Sequence, residues 1–345
     1  MLGAGIHRRR GVVVKLLQFT DGGGHTRVAR IDPSGAVLPL SRFETTYQLA
    51  RACISEKRTL EQVAGAAAAD APVSYEELLR DGRLLPPLTH PDPGHCLVSG
   101  TGLTHLGSAA ARDAMHAKIG RQDDALTDSM KMFKWGVEGG KPKSSKPGAQ
   151  PEWFYKGNGR NVVGCGSPLS SPDFAEDHGE EPELVGVYII DDNRRPHRLG
   201  FAIGNEFSDH VTERRNYLLL AHSKLRQCGV GPMLNTGTLP SHLEGTSRIR
   251  RDGAVLWQKS FLTGEANMCH TFANLEYHHF KYKQHRVPGD VHLHFFGTAT
   301  VSFTDSVVAQ AGDEFEIDLP ALGAPLINKL LIEPGGLVLH DTGTL

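Results

Sequence analysis

The sequence has little that would direct it to a membrane or to a nucleic acid. No apolar run approaches the roughly 18 residues that a transmembrane helix needs, and charges interrupt the short apolar stretches near the N-terminus, unlike a signal peptide. Lys and Arg number 37 against 39 Asp and Glu, and the formal net charge of -2 offers a polyanion no attraction. We therefore expect a cytoplasmic protein that binds neither a membrane nor a nucleic acid.

Paired cysteine motifs and a serine-nucleophile motif are also missing. The five cysteines are odd in number, widely spaced and never arranged as C-x-x-C. That pattern argues against a disulfide scaffold and against a zinc ribbon, and it predicts reduced, mostly buried thiols. No G-x-S-x-G sequence occurs, so a serine triad on a nucleophile elbow is unsupported.

The composition is that of a folded, strand-rich chain. Hydrophobic residues make up 39% of the sequence, too many for a disordered protein, and 39 Gly with 20 Pro are too many turn formers for a helical bundle. Runs of β-branched and aromatic residues predict strands over residues 185–190, 198–203, 254–259, 291–296, 299–303 and 314–318. Helices are predicted over residues 45–55, 74–80, 209–217 and 266–281. We therefore predict an α+β, β-rich fold.

The N-terminal part is predicted to form a smaller domain of its own. Two strands within residues 12–31 flank an Asp-Gly-Gly-Gly run at residues 21–24. The run predicts a hairpin turn, because no helix follows it as a phosphate-binding loop requires. The Pro-rich stretch 82–93 prevents a helix and marks a connection. We place the boundary there, with an N-terminal α/β domain over residues 1–93 and a β-rich catalytic domain over residues 94–345.

Acidic residues cluster around a second predicted hairpin. Apolar strands flank the turn-forming residues 191–196, so the chain folds back there as an antiparallel pair. Glu181 and Glu183 are two positions apart, which places both side chains on one face with their Cα atoms about 6.6 Å apart. If the fold-back centres between residues 194 and 195, Glu206 lies opposite Glu183. Three carboxylates then converge at the open end of the hairpin.

Two interpretations of this cluster are open. Three neighbouring anions repel one another unless a cation lies among them, and carboxylate oxygens suit Mg²⁺, Mn²⁺ or Ca²⁺ rather than zinc. An acidic cluster at a strand entrance is also typical of a solvated surface. The order of the other motifs along the chain favours the metal site.

Those motifs follow one another in a recognisable order. Upstream of the glutamates stands Phe-Tyr-Lys156-Gly-Asn, and downstream come Lys224 ahead of a Gly-Pro pair, Pro-Gly-Asp at residues 288–290, and Gly297-Thr298. Over about residues 96–330 this order resembles the fumarylacetoacetate hydrolase family. The resemblance implies a mixed β-roll catalytic domain, a bound Mg²⁺ (with Mn²⁺ or Ca²⁺ as alternatives), a small 2-oxo acid substrate, and a homodimer or higher homo-oligomer.

The resemblance also implies roles for individual residues. The implied metal ligands are Glu181, Glu183 and Glu206, the last at a position that is usually Asp in the family. Lys224 is the implied active-site lysine, which acts as a base or enolate partner if burial lowers its pKa, and Lys156 is implied as a second catalytic lysine. The implied substrate-binding residues are Gly297, Thr298 and His210, which replaces a usual arginine.

One departure concerns the groups that activate water. Hydrolases and decarboxylases of the family carry a His and a Glu where this chain has Ser108 and Ala111, which cannot remove a proton from water near neutral pH. His105 meets that motif only after a shift of register. The resemblance therefore favours the branch of 2-keto-3-deoxypentonate dehydratases. It predicts Mg²⁺-dependent dehydration to 2-oxoglutarate semialdehyde through a metal-stabilised enolate.

Three alternatives remain open. The first is hydrolysis of an acylpyruvate or a 2,4-diketo-3-deoxy sugar acid at the same metal site. The second is metal-free dehydration through a lysine Schiff base, and the third is a metal-dependent sugar-acid binding protein without turnover. A second metal site is disfavoured, since no His-Glu-x-x-His spacing accompanies the candidate histidines His278, His279, His292 and His294.

Overall fold

The computed structural model describes residues 13–107, 126–336, 339 and 342–345. Strands predominate in this part of the chain, and the predicted α+β, β-rich class is confirmed. The helices are α1 (Thr46–Glu56), α2 (Leu60–Ala66), α3 (Tyr75–Arg80), α4 (Asp128–Gly139), α5 (His210–Arg215), α6 (Leu220–Lys224) and α7 (Phe272–Phe280). None of these helices is both long and apolar enough to cross a membrane.

The described strands form two sheets. The N-terminal strands are β1 (Lys15–Thr20), β2 (Thr26–Ile31), β3 (Val37–Pro39), β4 (Leu84–Leu85), β5 (Cys96–Gly100), β6 (Phe154–Asn158), β7 (Val162–Val163) and β8 (Leu169–Ser171). They are followed by β9 (Pro182–Ile190), β10 (Pro196–Asn205), β11 (Cys228–Asn235), β12 (Leu243–Arg251), β13 (Ala254–Thr263), β14 (Val291–Phe295), β15 (Glu314–Asp318) and β16 (Leu326–Ile332). The larger sheet runs β3-β2-β1-β11-β10-β9-β14-β5-β6, with β4 on β1 and β7 on β11, and the smaller runs β13-β12-β15-β16-β8.

Strand β9 is the buried centre of the larger sheet. It pairs antiparallel with β10 on one side and with β14 on the other, and all nine of its residues are buried. A continuous apolar run is what a strand covered on both faces requires. Alternate residues enter separate apolar clusters, Val185, Val187 and Ile189 in one and Leu184, Tyr188 and Ile190 in the other. This strand is therefore a fixed support for the residues at its N-terminal end.

The N-terminal hairpin is confirmed. Strands β1 and β2 pair from Lys15 opposite Ile31 to Thr20 opposite Thr26. The Asp21 carboxylate accepts hydrogen bonds from the amides of Gly23 and His25, which closes the turn. Strand β1 also pairs with β11, so this segment extends the larger sheet. The domain boundary at residues 93 and 94 stays a prediction.

Two predicted elements are wrong in extent or type. Residues 299–303 do not form a strand; instead a 3₁₀ helix spans Ser302–Asp305, and the Glu180 carboxylate accepts hydrogen bonds from both the amide and the hydroxyl of Ser302. The helix predicted over residues 266–281 begins only at Phe272, because Thr271 caps it by accepting from the Asn274 amide. The sequence pattern around these residues predicted neither the contact of Glu180 with Ser302 nor the cap at Thr271.

Four buried histidines pack together where α7 meets the larger sheet: His279, which lies on α7, and His285, His292 and His294. His279 lies 3.0 Å from His292 between ring nitrogens, and its ring stacks on His294 with 4.4 Å between centroids. His285 bonds the carbonyl of His279 at 2.7 Å. Burial lowers the pKa of both His292 and His294 to about 3, so these rings stay neutral in the folded chain over the ordinary pH range.

We expect the free energy of unfolding to fall as the pH drops below about 6.5. In that range His292 and His294 bind a proton in the unfolded chain but stay neutral in the folded chain. Each such histidine costs up to about 1.4 kcal/mol per pH unit. Urea unfolding measures the free energy of unfolding at pH 7 and at pH 5. The decrease in this free energy between the two pH values should be smaller for His294→Asn than for the unchanged chain. His25→Asn, at an 80% exposed side chain, is the control and should match the unchanged chain. Equal losses in all three proteins would contradict this account.

Candidate metal centre

Strands β9 and β10 bring three glutamates to one buried point. Glu183 lies opposite Gly204 in the ladder, and the amide of Glu206 donates to the carbonyl of Glu181 at 3.0 Å. One carboxylate oxygen from each of the three glutamates lies within 4.8 Å of the others. Glu181 is 8% exposed, Glu183 1% and Glu206 0%. The solvated-surface interpretation of this cluster is therefore wrong.

The predicted register of the hairpin is wrong by two residues. Glu183 was expected opposite Glu206, but it pairs with Gly204, and Glu181 lies beside Glu206 instead. The turn is centred earlier than predicted, with Ile190 opposite Pro196, and the register shifts between Arg198 and Gly200. The glutamates still converge, because a register difference of two residues keeps Glu206 beside Glu181, which is two positions from Glu183.

Glu183 differs from the other two glutamates in its charged neighbours. Its Oε2 accepts from the amide of Gly297 at 2.6 Å, and no lysine, arginine or histidine within the described ranges forms an ion pair with it. Burial, followed by repulsion from Glu206 and Glu181, holds the pKa of Glu183 well above its usual range. A divalent cation would relieve this repulsion, and three carboxylates are hard oxygen ligands. The donor set therefore fits a divalent cation.

Lys224 ends helix α6 and points into the cluster. Its Nζ lies 2.5 Å from Glu181 Oε1 and 2.8 Å from Glu206 Oε2, and it donates to the Ser208 hydroxyl at 3.0 Å. Burial lowers the pKa of Lys224, but the carboxylates of Glu181, Glu206 and Glu213 outweigh burial and hold that pKa well above its usual range. Among these carboxylates Lys224 is therefore a buried cation, and its role as a base stays a prediction.

Lys156 lies on β6 behind the cluster. Its Nζ donates to the carbonyls of Phe207 and Lys224 at 2.7 and 2.8 Å and lies 2.8 Å from Glu206 Oε1. Burial lowers its pKa. In the described structure Lys156 fixes Glu206 and the end of α6, and it is not among the described residues that line the cavity. Its catalytic role stays a prediction.

His210 fixes Glu181 from the other side. It is the first residue of α5, which Asp209 caps by accepting from the Thr212 amide. Its Nδ1 lies 3.0 Å from Asp177 Oδ2 and its Nε2 lies 3.0 Å from Glu181 Oε1. Burial lowers the pKa of His210, but the hydrogen bonds to the two carboxylates outweigh it and raise the pKa to about 10. His210 is therefore a cation that orients a candidate metal ligand.

A cavity of about 240 Å³ opens over the cluster. Its described lining includes the predicted residues Glu181, Glu183, Lys224, His210, Gly297 and Thr298. Gly297 has a φ of 89°, and a Cβ there would lie 2.4 Å from the Thr104 hydroxyl oxygen, so only glycine fits. The structure thus places every predicted site residue except Lys156 and Glu206 around one cavity.

Sequence reasoning missed Glu152. This residue precedes β6 by two positions, lines the same cavity and accepts a hydrogen bond from the Tyr217 hydroxyl. Burial raises its pKa to about 7. A single glutamate after a Pro-rich loop gives no signal in the sequence, since its position depends on the distant Tyr217.

His105 is a buried, hydrogen-bonded residue away from the described lining of the cavity. Its Nε2 lies 3.0 Å from the Thr263 hydroxyl, burial lowers its pKa to about 3, and it is absent from the described lining of the cavity. Ser108 and Ala111 lie outside the described residues.

Comparison with known proteins identifies a curated relative and solved structures of similar fold. No known family profile matches the chain. A curated relative, the probable 2-keto-3-deoxyxylonate dehydratase of Haloferax volcanii, is 27% identical over 180 residues, which are 50% of this chain and 58% of the relative. The match thus spans less than two thirds of that protein.

Solved structures with the same fold include two forms of one enzyme. The apo form of 2-keto-3-deoxy-D-arabinonate dehydratase is 20% identical, with a TM-score of 0.68, and covers 93% of this chain and 100% of its own. The form complexed with magnesium and 2,5-dioxopentanoate has the same identity and coverage and a TM-score of 0.69. A 5-carboxymethyl-2-hydroxymuconate delta-isomerase from Mycobacterium smegmatis is 16% identical, with a TM-score of 0.53 and coverage of 92% and 100%. The resemblance predicted from the motifs is confirmed, and this chain has the fold of these enzymes.

We expect Glu183→Gln to lose the thermal stabilisation that Mg²⁺ or Mn²⁺ gives the unchanged chain, because one of three anionic ligands is removed. Differential scanning fluorimetry with and without EDTA measures this shift in Tm. The control is Glu244→Gln, at an exposed glutamate on β12. An equal metal-dependent shift in Glu183→Gln would contradict the assignment.

We expect His210→Gln to weaken binding of Mn²⁺ by about 10- to 100-fold while leaving one site per chain, because Glu181 loses the group that orients it. Calorimetric titration of each protein with Mn²⁺ measures affinity and stoichiometry. Unchanged affinity in this variant would mean that the contact between His210 and Glu181 is irrelevant to the cation.

Proposed function

We propose that this protein dehydrates a 2-keto-3-deoxy sugar acid, a pentonate in the simplest case, to the corresponding semialdehyde. The observation that carries the proposal is a cluster of three buried carboxylates, two of which line a cavity that also contains a buried ammonium and a carboxyl group with a pKa of about 7. The dehydratase names of the curated relative and of similar structures support it. Such an enzyme is a hydro-lyase.

The metal ligands in this proposal are Glu181, Glu183 and Glu206, with Mg²⁺ as the ion. These residues would hold a cation that, when bound, would polarise the keto group of a 2-oxo acid and stabilise negative charge on its oxygen. Thr298 is proposed to bind the substrate's carboxylate, since its hydroxyl oxygen accepts from the Thr300 amide at 3.3 Å and its proton is left to donate. Gly297 contributes a position without a side chain beside the cluster.

Glu152 is proposed to remove the proton from C3. With a pKa of about 7, half of this carboxyl group is ionised at neutral pH, which suits a general base. The bond between C4 and its hydroxyl then breaks, and the Lys224 ammonium gives the departing oxygen a proton, so that one water leaves. The C3=C4 product rearranges by proton shifts to an aldehyde at C5, which for a pentonate is 2-oxoglutarate semialdehyde.

The ion pairs of Lys224 argue against the Schiff-base alternative. A lysine must lose its proton to attack a keto group, and Glu181 and Glu206 hold this ammonium protonated. Lys156 is proposed to act by positioning Glu206. The cytoplasmic location and the homodimer implied by the family resemblance remain part of the proposal.

The test is incubation of the protein and Mg²⁺ with 2-keto-3-deoxypentonates of both C4 configurations, followed by mass spectrometry. We expect loss of one water and an aldehyde product, with no release of pyruvate. Pyruvate from a 2,4-diketo acid, with no dehydration of any 2-keto-3-deoxy acid, would replace this proposal with the hydrolase.

We expect Glu152→Gln to lower kcat by about 10²- to 10⁴-fold, because the amide keeps the hydrogen bond from Tyr217 but cannot accept a proton. In the unchanged enzyme kcat should rise with pH through about 7, as Glu152 ionises, and this limb should be missing from the variant. Steady-state rates between pH 5 and 9 measure both effects. Glu138→Gln, at an exposed glutamate of α4, is the control, and a kcat within a few-fold of normal in Glu152→Gln would exclude the base.

A further inference from the structure

A second and larger cavity adjoins the one over the glutamates. Its volume is about 520 Å³, and the two cavities share Thr101 and Glu152 in their linings. The proposed base therefore stands at the boundary between them. A substrate whose C3 carbon faces Glu152 has its remaining carbons directed either back toward the cluster or onward into the larger cavity.

The volumes show that a five-carbon acid does not need the larger cavity. Such an acid occupies roughly 150 Å³, about five times the share of liquid volume of one water molecule. The smaller cavity, at about 240 Å³, is already sufficient to hold it. A five-carbon substrate would leave the second cavity to solvent.

The larger cavity has a rigid aromatic wall. The indole of Trp153 donates to His279 Nδ1 at 3.2 Å and stacks on His285, with 5.6 Å between centroids and 28° between planes. These contacts fix the ring while 38% of Trp153 stays exposed. A ring that is already held in place binds a ligand without a further loss of side-chain entropy.

The polar groups of this cavity include two neutral amides beside hydroxyl and imidazole groups. Gln150 and Gln284 line the cavity. The side-chain oxygen Oε1 of Gln150 accepts a hydrogen bond from Lys281 at 2.7 Å, which leaves the side-chain amide hydrogens of Gln150 for a ligand. Among the described lining residues, Glu152 at the boundary is the one carboxylate, and there is no lysine or arginine. A purely apolar group would leave the amides unpaired. Fixed aromatic rings beside neutral amides suit a chain or ring of hydroxylated carbons.

We propose that the second cavity is a subsite for the distal hydroxylated part of the substrate, so that the preferred 2-keto-3-deoxy acid has more than five carbons. This inference rests on the proposed function and narrows its substrate class. Trp153 and Gln284 are specificity-determining residues of this subsite, and neither takes part in the proton transfers.

The experiment measures equilibrium binding and turnover separately. Calorimetry with Mg²⁺ present, with every protein also carrying Glu152→Gln to stop turnover, gives the Kd of a five-carbon and an eight-carbon 2-keto-3-deoxy acid, and mass spectrometry with intact Glu152 gives turnover of each. The variants are Trp153→Ala and Gln284→Ala, so that the test stands if one of them fails to fold. Trp135→Ala is the matched control, because this 53% exposed tryptophan on α4 is not among the described lining residues.

We expect the unchanged chain and Trp135→Ala to bind the eight-carbon acid at least about tenfold more tightly than the five-carbon acid. Trp153→Ala and Gln284→Ala should each reduce this preference to about twofold or less and leave the Kd of the five-carbon acid within about twofold of normal. Equal binding of both acids by the unchanged chain, or a preference that survives both variants, would overturn the subsite. If the five-carbon acid is dehydrated without any length preference, the subsite alone fails. If neither acid binds or is dehydrated, the proposed function fails with it.

Discussion

Repulsion among three buried carboxylates is the constraint on which the site depends. Glu181, Glu183 and Glu206 share one point from which water is largely excluded, and such an arrangement is stable only with positive charge around it. Lys224 and Lys156 pair with Glu206, and Lys224 and His210 pair with Glu181. Among the ion pairs of the described residues, Glu181 and Glu206 thus have cationic partners and Glu183 has none. That imbalance explains why a divalent cation is the natural complement of the site.

The fold supplies the rigidity that this repulsion requires. Strand β9 is hydrogen-bonded on both sides and buried on both faces, so Glu181 and Glu183 at its start cannot move apart without breaking the larger sheet. Helices α5 and α6 bring His210 and Lys224 to the same place. Two of the fixed cations, Lys224 and His210, face the same cavity as Glu152, whose pKa is raised to about 7.

Local patterns predicted what depends on neighbours in the chain. The β1–β2 hairpin and strand β15 follow alternation and turn chemistry, and the spacing of Glu181 and Glu183 predicted their shared face. The register of β10 was not predicted, because the turn is centred near residue 193 and a further shift of one residue follows between Arg198 and Gly200. The position of Glu152 depends on a hydrogen bond from Tyr217, 65 residues away. Residues 299–303 do not form the predicted strand, and the Ser302 amide donates a hydrogen bond to the distant Glu180 instead. Contacts of this kind arise only once the chain is folded.

The most direct measurement is a crystal structure of the protein soaked in Mn²⁺, with the ion located by its anomalous scattering. The account predicts one peak per chain, in direct contact with carboxylate oxygens of Glu181, Glu183 and Glu206. Lys224 should then contact the cluster without lying between its carboxylates. A peak elsewhere, or none at a saturating concentration, with Lys224 still bridging Glu181 and Glu206, would contradict the account.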